Sequence, residues 1–152
     1  MLFRSGNFFC LGDFRRDTFA AGLHAWVTQK KFPHGEISFS FPRLRPAGGL
    51  ALPGRGGVDE RRLLQLMLAC RLFLPFAGIT ISTRERPGFR DAVAGLVATK
   101  MSAGVSVGVG GHGGERKGDP QFLIADERSV DEIRRMLTDN GLQPVFLDYV
   151  RV

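Results

Sequence analysis

The sequence predicts an α/β protein: a parallel sheet with helices outside and one face lining a cavity, as inside a β/α barrel that holds a polar ligand. Three observations predict it. Strand-length and helix-length apolar periods alternate along the chain, the pattern of strand–helix–strand units. Three predicted strands keep one apolar and one polar parity, whereas strands of an ordinary parallel sheet are buried on both faces and read as continuous apolar runs. Polar residues also gather where strands stop, and β/α proteins bind ligands at the carboxyl ends of their strands.

The elements follow in order. Asn7–Leu11 is a short apolar run ending at Gly12-Asp13. Phe19, Leu23, Trp26 and Val27 then recur at i, i+4, i+7 and i+8, which predicts an amphipathic helix with Asp13 as N-cap, stopped by Pro33 and Gly35. Glu36–Phe41 alternates, with Ile37, Phe39 and Phe41 on one face and Ser38 and Ser40 on the other, so it reads as a strand. A Pro-, Gly- and Arg-rich loop spans Pro42 to Gly57, long for a compact domain. Asp59 opens a helix whose apolar face is Leu63, Leu66, Met67, Cys70 and Leu74, ended by Pro75 and Gly78.

Ile79–Arg84 is the next predicted strand, with Thr80, Ser82 and Arg84 sharing a face. Pro87 suits the first turn of a further helix, which carries Phe89, Val93, Leu96 and Val97 on one side. Ala98–Val105 reads as a fourth strand, with Lys100 and Ser102 on its polar face. VSVGVGGHGGERKGD is glycine-rich and lacks the GxxxxGK[ST] pattern of a phosphate loop. His112 within it reads as a ligand or as a solvated loop residue. Gln121–Ile124 is extended, Ser129 and Glu132 form a capping box for a helix bearing Ile133, Met136 and Leu137, and Gly141 suits its C′ position. Pro144–Tyr149 closes as a short extended piece.

The 152 residues make one domain or a piece of a larger one, and 43% apolar content is enough for a core. The net charge of +6 is carried almost wholly by arginine. These arginines form no run and are not interleaved with aromatics, so no nucleic-acid partner is expected. No apolar run reaches membrane-spanning length, so no membrane partner is expected. With no signal-peptide pattern at the start, the expected location is cytoplasmic. Cys10 and Cys70 lack CxxC spacing, so neither a disulfide framework nor a metal site is expected; both read as core residues.

Ser82-Thr83-Arg84 is the sharpest candidate site. Arginine offers a planar fork suited to a carboxylate or phosphate and serine a neutral donor; the other reading is a solvated arginine paired with Glu85 or Asp91. Phe41-Pro42-Arg43-Leu44-Arg45-Pro46 also follows a strand and stiffens Arg43 and Arg45 between prolines, either at a ligand or as a soluble surface loop. His24 lies beside the first helix's apolar stripe, where histidines are commonly half-buried and satisfied. No nucleophile with base, acid–base pair or metal cluster can be assembled.

ISFSFPRLRPAGG, RLFLPFAGITISTRERPGFRD, TKMSAG, QFLIADERSVDEI and GLQPVFLDY, with GNFFCLGDFRRDTFAAGLHAWV before them, resemble one radical S-adenosylmethionine family. It is the 2-iminoacetate synthase family (ThiH-type tyrosine lyases) of thiamine biosynthesis. Phe14 stands where tryptophan is common, and the 105–118 insert is heavy in glycine. The resemblance implies the C-terminal half of a (β/α)8 barrel, about strands five to eight, over residues 1–106. Residues 107–152 would form a small α/β tail of the biotin- and thiamin-synthesis-associated type. It implies an enzyme that uses a 4Fe–4S cluster and S-adenosyl-L-methionine to break the Cα–Cβ bond of L-tyrosine, giving dehydroglycine and p-cresol.

By the same resemblance Ser82 and Arg84 bind the amino-acid group of tyrosine, with His24 as a further pocket residue. Strand parity makes Ser38, Ser40, Thr80 and Ser102 cavity-lining residues, and the resemblance adds Arg43 and Arg45 at the cavity rim. The CxxxCxxC cluster loop is absent, so this chain alone is expected to hold no cofactor and to lack radical chemistry. The implied partners are a separately encoded N-terminal barrel half, self-association through open strand edges, and thiazole synthase. A cysteine-free tail separates it from the relative that makes diiron ligands for hydrogenase, and the STRE and FPRLRP strings separate it from biotin synthase. A reading of another class is a non-catalytic half-barrel or gene fragment that binds an amino acid or docks a partner.

Overall fold

The structure, a computed structural model, describes residues 2–6 (backbone), 13–42, 58–105 and 124–146. Along the chain these form β1 (Leu2–Gly6), α1 (Phe14–Lys31), β2 (Glu36–Ser40), α2 (Glu60–Phe73), β3 (Gly78–Ile81), α3 (Pro87–Ala94), β4 (Lys100–Met101) and α4 (Val130–Asp139). Helix starts lie where the sequence places them. The Asp13 carboxylate accepts from the Arg15 amide at 2.9 Å and that of Asp59 from the Arg62 amide at 2.7 Å. Pro87 enters the first turn of α3, where no amide is needed. Ser129 and Glu132 close a full capping box on α4, and Gly141 takes φ +74 after it.

The four strands pair in parallel in the order β1-β2-β3-β4. Parallel strands laid down in chain order by right-handed crossovers put every crossover helix on one side. One apolar cluster on that side joins Ala25 of α1, Leu63, Met67 and Cys70 of α2, and Phe89 and Val93 of α3 to Ile37, Phe39, Ile79 and Ile81 of the sheet. Strand alternation sends the other parity to the opposite face. There the register aligns Ser38 with Gly78, and Ser40 with Thr80 and Lys100.

Several boundaries differ from the sequence reading. A strand not read from the sequence, Leu2–Gly6, opens the sheet, and the apolar run Asn7–Leu11 lies outside the described residues. β3 ends at Ile81, three residues before Arg84, because Ser82–Glu85 turns to meet Pro87. The fourth strand is two residues long, not eight, although Thr99 and Ser102 each send an amide to β3, at Ile79 O and Ile81 O. Leu96 follows the end of α3 and is 58% exposed, while Phe89, Val93 and Val97 are buried as expected.

The largest correction concerns α1. Phe19, Leu23, Trp26 and Val27 are exposed, Phe19 by 73%, and the buried face is Thr18, Ala21, Gly22 and Ala25. Small residues let this helix approach its neighbours closely: a Cβ on Gly22 would lie 3.6 Å from the Phe73 ring. Apolar periodicity finds the stripe of large residues, and here small residues form the packed one.

Of the described glycines, Gly78 has the least room for a side chain. A Cβ there would meet Ser38 Oγ at 3.0 Å and Ser38 Cβ at 3.3 Å. Gly78→Ala therefore overfills the polar face and is expected to destabilise the fold by about 1–3 kcal/mol; an unchanged urea midpoint would contradict this packing.

Candidate functional site

The strand ends carry the site. After Ile81 the chain turns, the Glu85 amide donating to Ser82 O at 3.3 Å and the Arg84 amide to Ser82 Oγ at 3.4 Å. Burial alternates through the turn: Thr83 and Glu85 are buried, whereas Ser82 and Arg84 are half-buried. Two residues of different chemistry thus keep partial access to solvent at the carboxyl end of an inner strand. Such ends are where β/α sheets receive ligands.

The polar face below this turn is graded. At its amino end Glu36 Oε1 receives Lys100 Nζ at 3.1 Å, Lys100 reaching down from the level of Ser40 and Thr80; the pair is partly exposed and of small energetic weight. To make it, Lys100 on β4 reaches towards β2 across β3, where Gly78 contributes no side chain. Towards the carboxyl end the residues are neutral hydroxyls: Ser40, Thr80, Ser82 and Ser102 are half-buried and Ser38 is buried. Thr80 Oγ1 is buried without a hydrogen-bond partner among the described residues. This face suits a polar, uncharged or anionic ligand.

A charged strap braces the strand ends from behind. Thr83 O accepts the amides of Ala125 (2.9 Å) and Asp126 (3.0 Å), which pins the 124–129 segment to the turn. Arg90 of α3, 0% exposed, pairs with the Asp126 carboxylate and donates a second Nη to Ser102 O. Arg128 lies on Asp126 at 2.7 Å and on Asp91 at 2.7 Å. Burial pushes the Asp126 carboxyl up, but hydrogen bonds from Arg128 and the charge and hydrogen bond of Arg90 outweigh it and hold the group down at about 2. The same carboxylates raise Arg128 above the usual arginine range.

The strap was not read from the sequence. Its ion pairs across the chain join residues 36 and 37 positions apart, and Arg90 sits on an apolar-facing helix where a charge reads as solvated. Asp91, weighed above as a partner for Arg84, pairs instead with Arg128.

The expected site residues divide into three groups. Ser82, Arg84, Thr80, Ser40, Ser38 and Ser102 gather at or below the strand ends. His24 does not join them: it is exposed on α1, which packs through Ala25 on the opposite face of the sheet. Arg43, Arg45, Cys10 and His112 lie outside the described residues. Cys70 is in the core, and burial pushes its thiol up to about 11. Among the described residues no three His, Cys, Asp or Glu side chains group to hold a metal ion. Nor is any described helix long and apolar enough to cross a membrane.

Residues 40–143 match the family described as the Biotin and Thiamin Synthesis associated domain. The 2-iminoacetate synthases of Escherichia coli K12 and Salmonella typhimurium LT2 are similar at 36% and 35% identity over 137 residues. These alignments cover 90% of this chain and 36% of each relative, so the chain spans about a third of their length. A crystal structure of HydG, a maturase of the FeFe-hydrogenase, superposes with a TM-score of 0.79 at 35% identity, over 91% of this chain and 30% of that one. HydG from Carboxydothermus hydrogenoformans gives 0.74 at 35% identity, over 91% and 32%. The parallel α/β architecture is that of these structures.

Because Asp126 is held below its ordinary carboxylate value, its share of stability is complete above about pH 4 and is lost as pH falls towards 2. Asp126→Asn is expected to flatten the stability–pH curve over that interval, seen by thermal unfolding between pH 2 and 6. An unchanged slope would mean that the carboxylate is not held in this way.

Proposed function

The chain belongs to the Biotin and Thiamin Synthesis associated domain family, and we propose that it is the substrate-binding part of a tyrosine-cleaving lyase of the 2-iminoacetate synthase kind. In this reading residues 1–106 form the C-terminal half of a β/α barrel, about strands five to eight, and residues 107–152 its tail. The observation that supports it is the strand-end turn, where Ser82 and Arg84 keep partial access beside a face of hydroxyls. A guanidinium binds a carboxylate through two parallel N–H···O bonds, and serine supplies a neutral partner for the amino-acid end. Tyrosine offers a carboxylate to such a turn and a long apolar body beyond it.

The residues present do not fit a 4Fe–4S cluster. The chain has two cysteines; the described one is buried, with a thiol held far from the thiolate form a cluster ligand needs. We therefore place cluster and S-adenosylmethionine binding on residues outside this sequence. What these side chains do is bind and orient the amino-acid end; in the whole enzyme the product would pass to thiazole assembly.

A second reading has its own support. β1 and β4 are each paired on one side only among the described strands, and unpaired edges recruit further strands. Under it the chain is a non-catalytic module that docks a separately encoded barrel half or a second copy. Sedimentation at micromolar concentration is expected to show association, and a lasting monodisperse monomer would remove this reading.

Calorimetry tests the first. L-tyrosine is expected to bind the purified protein, and Arg84→Ala to weaken binding by about 10- to 100-fold, as for a lost charge-assisted pair. Equal affinity of the two proteins would reject Arg84 as the carboxylate partner.

A further inference from the structure

We infer that Asp126 and Arg90 are positioning residues that hold the Ser82–Arg84 turn and Ser102 in one fixed arrangement for the amino-acid end of the substrate. The inference rests on the tyrosine reading above and adds residues that lie outside its candidate binding side chains.

The geometry carries it. The turn after β3 is fastened to the rest of the protein at Thr83 O, which takes both amides of the Ala125-Asp126 step at 2.9 and 3.0 Å. Thr83 lies between Ser82 and Arg84, so fixing its carbonyl fixes the peptide planes on which the two candidate binding side chains are mounted. The Asp126 side chain holds that step in place: one carboxylate takes Arg90 from the protein interior and Arg128 from the surface side. Arg90 then extends the constraint to the next strand end through Ser102 O. Its guanidinium links the turn after β3 to the chain after β4.

A charged pair at this depth is a costly way to gain stability alone, since apolar residues of similar volume often serve as well or better. A planar fork held at one Nη by a carboxylate and at the other by a carbonyl fixes angles as well as distances, while the Arg90 Nε is buried without a hydrogen-bond partner among the described residues. Bidentate binding of a substrate carboxylate needs such angular precision, because small displacements of positioned groups cost much of their effect.

The test uses the purified protein in its full length and two probes, L-tyrosine and tyramine, which lacks the carboxylate. Wild type is expected to prefer tyrosine. Asp126→Asn, nearly isosteric, is expected to lower tyrosine affinity on the order of tenfold while leaving tyramine binding unchanged, so that the preference collapses. Arg128→Gln, which spares the buried pair, is the second variant should Asp126→Asn fail to fold, and a smaller loss in the same direction is expected of it. A folded variant that keeps the full wild-type preference, with only its melting temperature lowered, would overturn the positioning role and leave the tyrosine reading intact. A wild-type protein with no preference between the probes would overturn the tyrosine reading itself, and the inference with it.

Discussion

Right-handed crossovers between parallel strands leave a chain of consecutive βα units one choice of side. Once β1 to β4 are laid down in order, α1, α2 and α3 must share a face, and the two sheet faces must differ in chemistry. Ile37, Phe39, Ile79 and Ile81 meet the helices, so Ser38, Ser40 and Thr80 are sent to the other side. The same constraint brings all carboxyl ends to one rim. The placement of Ser82, Arg84 and Ser102 follows from it, without any local preference of those residues.

Holding that rim together is a separate problem. Strand ends without further pairing fray, and β4 has only two ladder residues. The segment after the glycine-rich stretch meets this need by returning to Thr83, and its charges are satisfied in series by Arg90, Asp126, Arg128 and Asp91. Removing Asp126 would leave the Arg90 charge buried without its carboxylate, which costs more than the pair itself contributes. The tail is thus joined to the sheet through polar contacts, and α4 adds Ile133 as its buried apolar anchor. The 2-iminoacetate synthases and HydG resemble this chain across both parts.

Much of this architecture was legible in the chain. Asp13, Asp59, Pro87, Ser129 with Glu132, and Gly141 each mark a helix boundary through chemistry confined to a few residues, and the structure uses all of them. The parity of β2 and the apolar face of α2 were equally plain, because large side chains carry their burial in their spacing. The polar rim was visible for the same reason. Reading failed where burial is done by small residues, as on α1, or where ladder bonds rather than side chains end a strand, as at Ile81 and Met101.

By itself, then, the sequence determined the order of elements, their caps, the two chemistries of the sheet and the pairing of Ser82 with Arg84 at a strand end. Those are properties of neighbours along the chain, or of residues one turn or one pleat apart. Only the tertiary structure decided that His24 faces solvent away from this rim, that Asp91 belongs to Arg128, and that Arg90 is buried against Asp126. Such pairings join segments up to 37 residues apart. Their partners are selected by the geometry of the folded sheet, and nothing in local spacing encodes which charge meets which.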